Sequence, residues 1–130
     1  MEYAKCINEI METVNQRTEA FIQQLKETSG VVIVNTQLGI GAISSIREKI
    51  ENVSFFNKST SINGSIEYIS NNFINETTEM LVIEEACGYS HKELLSLIEL
   101  SKKVNTLVFI NYSKEKILDF SDITNVDFKI

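Results

Sequence analysis

Val31-Val32-Ile33-Val34-Asn35-Thr36-Gln37-Leu38-Gly39-Ile40-Gly41-Ala42-Ile43 is the stretch on which the fold turns. The four apolar, β-branched residues Val31–Val34 fit a strand covered on both faces; a half-exposed strand would alternate with polar residues. Gly39 and Gly41 then break the chain. Ile43, Ile46 and Ile50 resume at helical spacing. The order is strand, glycine loop, helix.

The same grammar repeats downstream. Met80-Leu81-Val82-Ile83 is a second fully apolar run and ends in Glu84-Glu85. Ser90-His91-Lys92-Glu93 has the spacing of a capping box and precedes Leu94, Leu95, Leu97 and Ile98, so a helix starts there. It should end near Lys102-Lys103, where cations favour the negative end of the helix dipole. Thr106-Leu107-Val108-Phe109-Ile110 is a third buried-type strand. Val53-Ser54-Phe55-Phe56 reads as a further strand, Asn57 to Gly64 as a polar turn, and Ile66, Ile69, Phe73 and Ile74 as one face of a short helix. Lys114 to Phe120 is read as another short helix, and Val126 to Ile130 as a last strand. Strands that alternate with helices predict an α/β fold: a three-layer sandwich with a mainly parallel sheet of four to five strands and right-handed crossovers. The Val31, Met80 and Thr106 strands are expected to be neighbours.

Upstream, Glu2 to Thr28 reads as one long helix. Tyr3, Ile7, Ile10, Val14, Phe21 and Leu25 recur at helical spacing, and Gly30 stops the helix. The stripe also fits a heptad seam with Arg17 as its polar interruption. A single α/β domain over 1–130 is therefore expected, with 1–29 as an N-terminal helix able to serve as a dimerisation or docking arm and 30–130 as the sheet core. Cys6, near the apolar stripe, is expected in the core.

Composition bounds the partners. The 130 residues carry 12 Lys and Arg against 18 Asp and Glu, a net charge of -6, with 43% hydrophobic residues. These are the proportions of an ordinary folded domain. An acidic chain repels a phosphate backbone unless its cations cluster, and Lys102, Lys103, Lys114 and Lys116 form no stripe, which disfavours nucleic acid. No apolar run approaches the length of a membrane span, and the first residues contain no signal-peptide core, so no membrane and a cytoplasmic location are expected. Cys6 and Cys87 are then reduced thiols. The matches to N-x-[ST] at Asn52, Asn57, Asn63, Asn75 and Asn111 are read as chance in an Asn-rich chain.

The order of these motifs resembles the P-loop NTPases, especially their RecA-like branch. In that family the loop reads G-x-x-x-x-G-K-[ST]. Gly39 and Gly41 match part of it. Thr36 stands where the first Gly belongs, Ala42 where the phosphate-binding Lys belongs, and Ile43 where the Mg²⁺-binding hydroxyl belongs. Met80–Ile83 with Glu84 and Glu85 resembles the acidic strand of the family, Glu84 in the metal-associated position and Glu85 in the catalytic one. Asn111 falls at the polar sensor position. The resemblance spans Val31 to Ser113. It implies a site for ATP or GTP with Mg²⁺ at Thr36, Gln37, Gly39, Gly41 and Ala42, with Glu84 on the metal and Glu85 orienting water.

The departures point away from catalysis. Phosphoryl transfer needs neutralisation of growing negative charge, mainly by Lys and Mg²⁺. Ala42 supplies no cation and Ile43 no ligand. The expected function is a non-catalytic regulator or adaptor without a cofactor that binds another protein, with the first helix as the arm for self-association or docking. The alternative is nucleotide binding with weak turnover that depends on a partner's Lys or Arg. Cys87 and His91, four apart, lack the companions a zinc site or a cysteine nucleophile requires. Glu84 and Glu85, if on a strand, would point to opposite faces rather than share a proton.

Overall fold

The computed structural model describes residues 2–60 and 65–129. Its elements in chain order are α1 (Glu2–Glu27), β1 (Gly30–Thr36), α2 (Ala42–Lys49), β2 (Val53–Phe56), α3 (Ile66–Phe73), β3 (Met80–Ile83), α4 (His91–Leu97), β4 (Thr106–Asn111) and β5 (Thr124–Phe128). The sheet order is β2-β3-β4-β1-β5, and every neighbouring pair is parallel. β4 lies between β1 and β3, so the three apolar runs sit side by side at the centre. A flavodoxin-like order, with β1 next to β2, is excluded.

The layers follow from strand alternation. Val32, Val34, Val82, Val108 and Ile110 face the layer of α1 and α2, while Ile33, Leu81, Ile83, Leu107 and Phe109 face that of α3 and α4. All six residues of β4 and all four of β3 are buried, which is why their sequences carry no polar alternation. β5 is an edge strand, with only Val126 and Phe128 buried. It begins two residues earlier than the sequence predicts.

α1 is amphipathic, and among its described side chains the buried ones lie toward its C-terminal end. Phe21, Ile22 and Leu25 are buried, and Phe21 stacks on Phe128 with ring centroids 4.4 Å apart and planes 2° from parallel. Ile10 and Met11, further toward the N-terminus, are 63% and 59% exposed. Twenty-six residues of helix span roughly 39 Å, longer than the sheet layer needs. Cys6 is consequently exposed, not in the core as expected. No helix among the described residues is long and apolar enough to cross a membrane.

The segment expected to be a helix over Lys114 to Phe120 is irregular. The Oδ1 atom of Asn111 accepts from the backbone N–H of Ser113 at 3.0 Å, and the Oγ atom of Ser113 accepts from that of Glu115 at 3.1 Å. Such side-chain turns compete with helical hydrogen bonds. Leu118, fully covered by the α3–α4 layer, pins the segment down. The residues 61–64 of the expected polar turn lie outside the described residues.

α4 starts where the capping box places it. The Ser90 Oγ atom accepts from the backbone N–H of Glu93 at 3.1 Å, and the backbone N–H of Ser90 donates to the Glu93 carboxylate at 2.9 Å. That carboxyl is held below its usual pKa, first by the Ser90 backbone and then by the Lys58 ammonium. A 3₁₀ turn over Ile98–Lys102 continues the helix to the expected end. Ser90→Ala is expected to destabilise the fold by about 1 kcal/mol. Urea denaturation checks this: the midpoint falls while the slope stays unchanged.

Candidate functional site at the carboxyl edge of the sheet

In parallel α/β sheets the loops after the strands gather at one edge, and ligands bind there. The chain leaves β1 toward the α2 face and leaves β4 toward the α3–α4 face, so the two central loops diverge between these strands.

The loop after β1 runs from Gln37 to Gly41. Thr36, at the end of the strand, is buried and its hydroxyl donates to the carbonyl of Phe128 at 2.7 Å. The side chain thus ties β1 to β5. Gln37 is exposed and Leu38 is 75% exposed, so neither fills the loop. Gly39 and Gly41 both have φ near +84°, in the left-handed region, while a Cβ at either would meet no atom within 4 Å. The requirement for glycine there is one of backbone angle, not of space. Gly41 is the N-cap of α2, with no side-chain cap and no acid in the first turn. Ala42 opens the helix and is 3% exposed. Ile43 packs onto the core beside it.

The acids after β3 are arranged otherwise than strand alternation would place them. β3 stops at Ile83, so neither Glu84 nor Glu85 lies on the strand. The backbone N–H of Glu84 donates to the carbonyl of Phe56 at 2.9 Å. Glu85 takes a left-handed conformation with φ 53° and turns the chain into the 3₁₀ turn Ala86–Gly88. Tyr112, just past β4, has its hydroxyl pKa pushed upward, first by burial and then by the charges of Glu84, Glu85 and Cys87. Glu84 and Glu85 are the acids of this segment, and the Lys58 ammonium lies 4.9 Å from the ring centroid of Tyr89 at its far end. Residues 36–43 and 84–89 contain no Lys or Arg.

The carboxyl ends of β4 and β1 are laced to each other, and β1 to the start of β5, by side-chain amides, a feature that sequence reasoning missed. Asn111 is fully buried. Its Nδ2 group donates to the Asn35 Oδ1 atom at 3.0 Å and to the carbonyl of Glu115 at 3.0 Å, and the Nδ2 group of Asn35 donates to Asn125 Oδ1 at 3.1 Å. Both N–H bonds of Asn111 and its oxygen are committed within the fold. It is a structural residue, not a group free to sense a ligand. Its burial also removes it as a glycosylation acceptor in the folded chain. The signal in the sequence was the polar residue closing each apolar run, Asn35 and Asn111.

Cys87 and His91 are both exposed, the latter at the first position of α4. Among the described residues no group of three His, Cys, Asp or Glu side chains converges as metal ligands. Beside α4, Ser65, Ile66, Tyr89 and Leu97 help to line a cleft of about 340 Å³. The Tyr89 hydroxyl is buried without a hydrogen-bond partner, and burial followed by the Glu93 charge pushes its pKa to about 12.

Ala42 and Ile43 supply neither the cation nor the hydroxyl that the resemblance asks of a phosphate site with Mg²⁺. The position after Gly41 carries a buried methyl group, the next a sec-butyl side chain packed against the core, and Glu84 and Glu85 follow the neighbouring apolar strand.

Comparison with known proteins gives little to set beside this geometry. The sequence matches no known family and no curated relative. Among solved structures, that of C. elegans PCH-2 is similar over 92% of this chain and 42% of its own, with 14% sequence identity and a TM-score of 0.40. The chain therefore spans less than half the length of that structure.

Proposed function

We propose that the chain is a non-catalytic, protein-binding regulator or adaptor on a P-loop-like α/β scaffold whose phosphate chemistry has been lost. One observation carries the reading: Ala42, 3% exposed, opens α2 directly after the left-handed Gly41. The glycine loop and helix start that would cradle phosphates are kept, and the cation that would neutralise them is not. The acids Glu84 and Glu85 oppose an anionic ligand further. The working surface then lies elsewhere, and α1, with its exposed Ile10 and Met11, is the arm that meets another protein.

Isothermal calorimetry with ATP and GTP, with and without Mg²⁺, tests the reading. No heat at millimolar nucleotide is expected. Micromolar binding that disappears in Gly41→Val would overturn it.

A second reading has one observation in its favour. The loop is open, since Leu38 points to solvent and Gly39 and Gly41 have no neighbours at their Cβ positions. Backbone N–H groups of Gly39, Gly41 and Ala42 would then still hold a nucleotide, with Thr36 and Gln37 at the loop's entry. Glu84 would face a metal and Glu85 a water, and a partner's Lys or Arg would supply the missing charge. The same titrations separate the two readings.

A further inference from the structure

Resting on the reading of α1 as the interaction arm, the geometry points to its partner: a second copy of this chain, bound through an antiparallel pairing of the two α1 helices about Thr13.

Cys6, Glu9, Ile10, Thr13, Val14 and Arg17 line one shallow groove along the exposed part of α1. At 100° per residue this groove lies on the flank of the arc that Phe21, Ile22 and Leu25 bury against the sheet. A helix laid in the groove therefore runs beside the domain rather than into it. Glu12 and Glu19 lie on the other side of α1, so two acidic chains meet there with few like charges.

The charges within the groove are complementary under one symmetry. In an antiparallel pair, residues whose numbers have a constant sum stand at the same level. Glu9 and Arg17 are equidistant from Thr13. A two-fold axis at Thr13 thus sets each Arg17 across the seam from the partner's Glu9, and does so twice. Among the described residues neither side chain makes an ion pair within its own chain. Thr13 is small, and its hydroxyl is already used by the Glu9 carbonyl at 3.0 Å, so it allows close approach at the axis. Ile10 then packs between the partner's Thr13 and the stem of its Arg17. A parallel pair leaves Glu9 opposite Glu9 and brings Cys6 to Cys6. The antiparallel arrangement also opposes the two helix dipoles.

One helix face per protomer is a small interface, so micromolar affinity is expected. Sedimentation equilibrium on the full chain should show a monomer–dimer equilibrium. Arg17→Glu should weaken it at least about tenfold, and Glu9→Arg with Arg17→Glu should restore it. Circular dichroism controls for folding, since both positions are exposed. Thr13→Cys, in a chain with Cys6→Ser and Cys87→Ser, should form an intermolecular disulfide under mild oxidation. In the unaltered chain Cys6 should not. A monomer at every concentration overturns the pairing, as does a dimer cross-linked through Cys6, or one indifferent to Arg17→Glu. None of these outcomes alters the nucleotide titrations, so failure of the pairing and failure of the non-catalytic reading are distinguishable.

Discussion

Phe109→Ala is expected to remove about 3 to 5 kcal/mol of stability, from the 5 to 15 kcal/mol typical of a domain. Phe109 lies on β4, the middle strand of five, and is fully buried against the α3–α4 layer. Helix on one side and sheet on the other leave the site no direction in which to collapse. The lost ring therefore becomes a cavity as well as a lost transfer energy. Urea denaturation measures the effect, and Phe120→Ala is the control. Phe120 is 44% exposed, so its truncation should change stability by less than about 1 kcal/mol. Equal effects of the two substitutions would contradict the placement of β4.

Asn111→Asp should have an effect of similar size, with a pH dependence that Phe109→Ala lacks. The Asn111 amide donates to two acceptors, Asn35 Oδ1 and the Glu115 carbonyl. A carboxylate there faces both with a negative charge and no proton, in a fully buried position. The expected loss at neutral pH is about 4 kcal/mol. Burial and the two acceptors raise the folded-state pKa of the new carboxyl above its unfolded value near 3.9. A raised folded pKa means that the folded state binds the proton more tightly. The deficit is thus smallest below the unfolded pKa, where the acid is neutral and can still donate one bond. It grows as pH rises toward the folded pKa and then levels off. Denaturation at pH 4 and pH 7 reads this directly, and a deficit independent of pH would show that the amide network does not form.

The parts of this fold that were legible in sequence are those that a local rule determines. Val31–Val34, Met80–Ile83 and Thr106–Ile110 are continuous apolar runs because both faces of each strand are covered, so burial itself writes the pattern. Ser90 and Glu93 fix the start of α4 through four residues alone. Less legible were the features that depend on position in the sheet. β5 has only alternate residues buried, because it is an edge, and its boundaries were shifted accordingly. The apolar spacing over Lys114 to Phe120 belongs to a loop anchored by Leu118, where the turns of Asn111 and Ser113 outcompete a helix. Cys6 follows the helical stripe of α1 but lies where the helix has outrun its support. The break in the chain after β1 was visible as Gly39 and Gly41, which both take left-handed angles. The amide ladder through Asn35 and Asn125 was not, since it depends on which strands are neighbours and in what register.

The flanks of the sheet govern how this chain behaves at high concentration. β5 turns Thr124, Asn125 and Asp127 outward, with only two residues of its five committed to the interior. On the opposite flank, the guanidinium of Arg47 lies over the Phe55 ring at 4.6 Å and shields β2. Charge and short strands on both borders discourage edge-to-edge accretion, the route by which exposed sheets grow into fibrils. Both borders of the sheet thus carry features by which natural sheets blunt their edges.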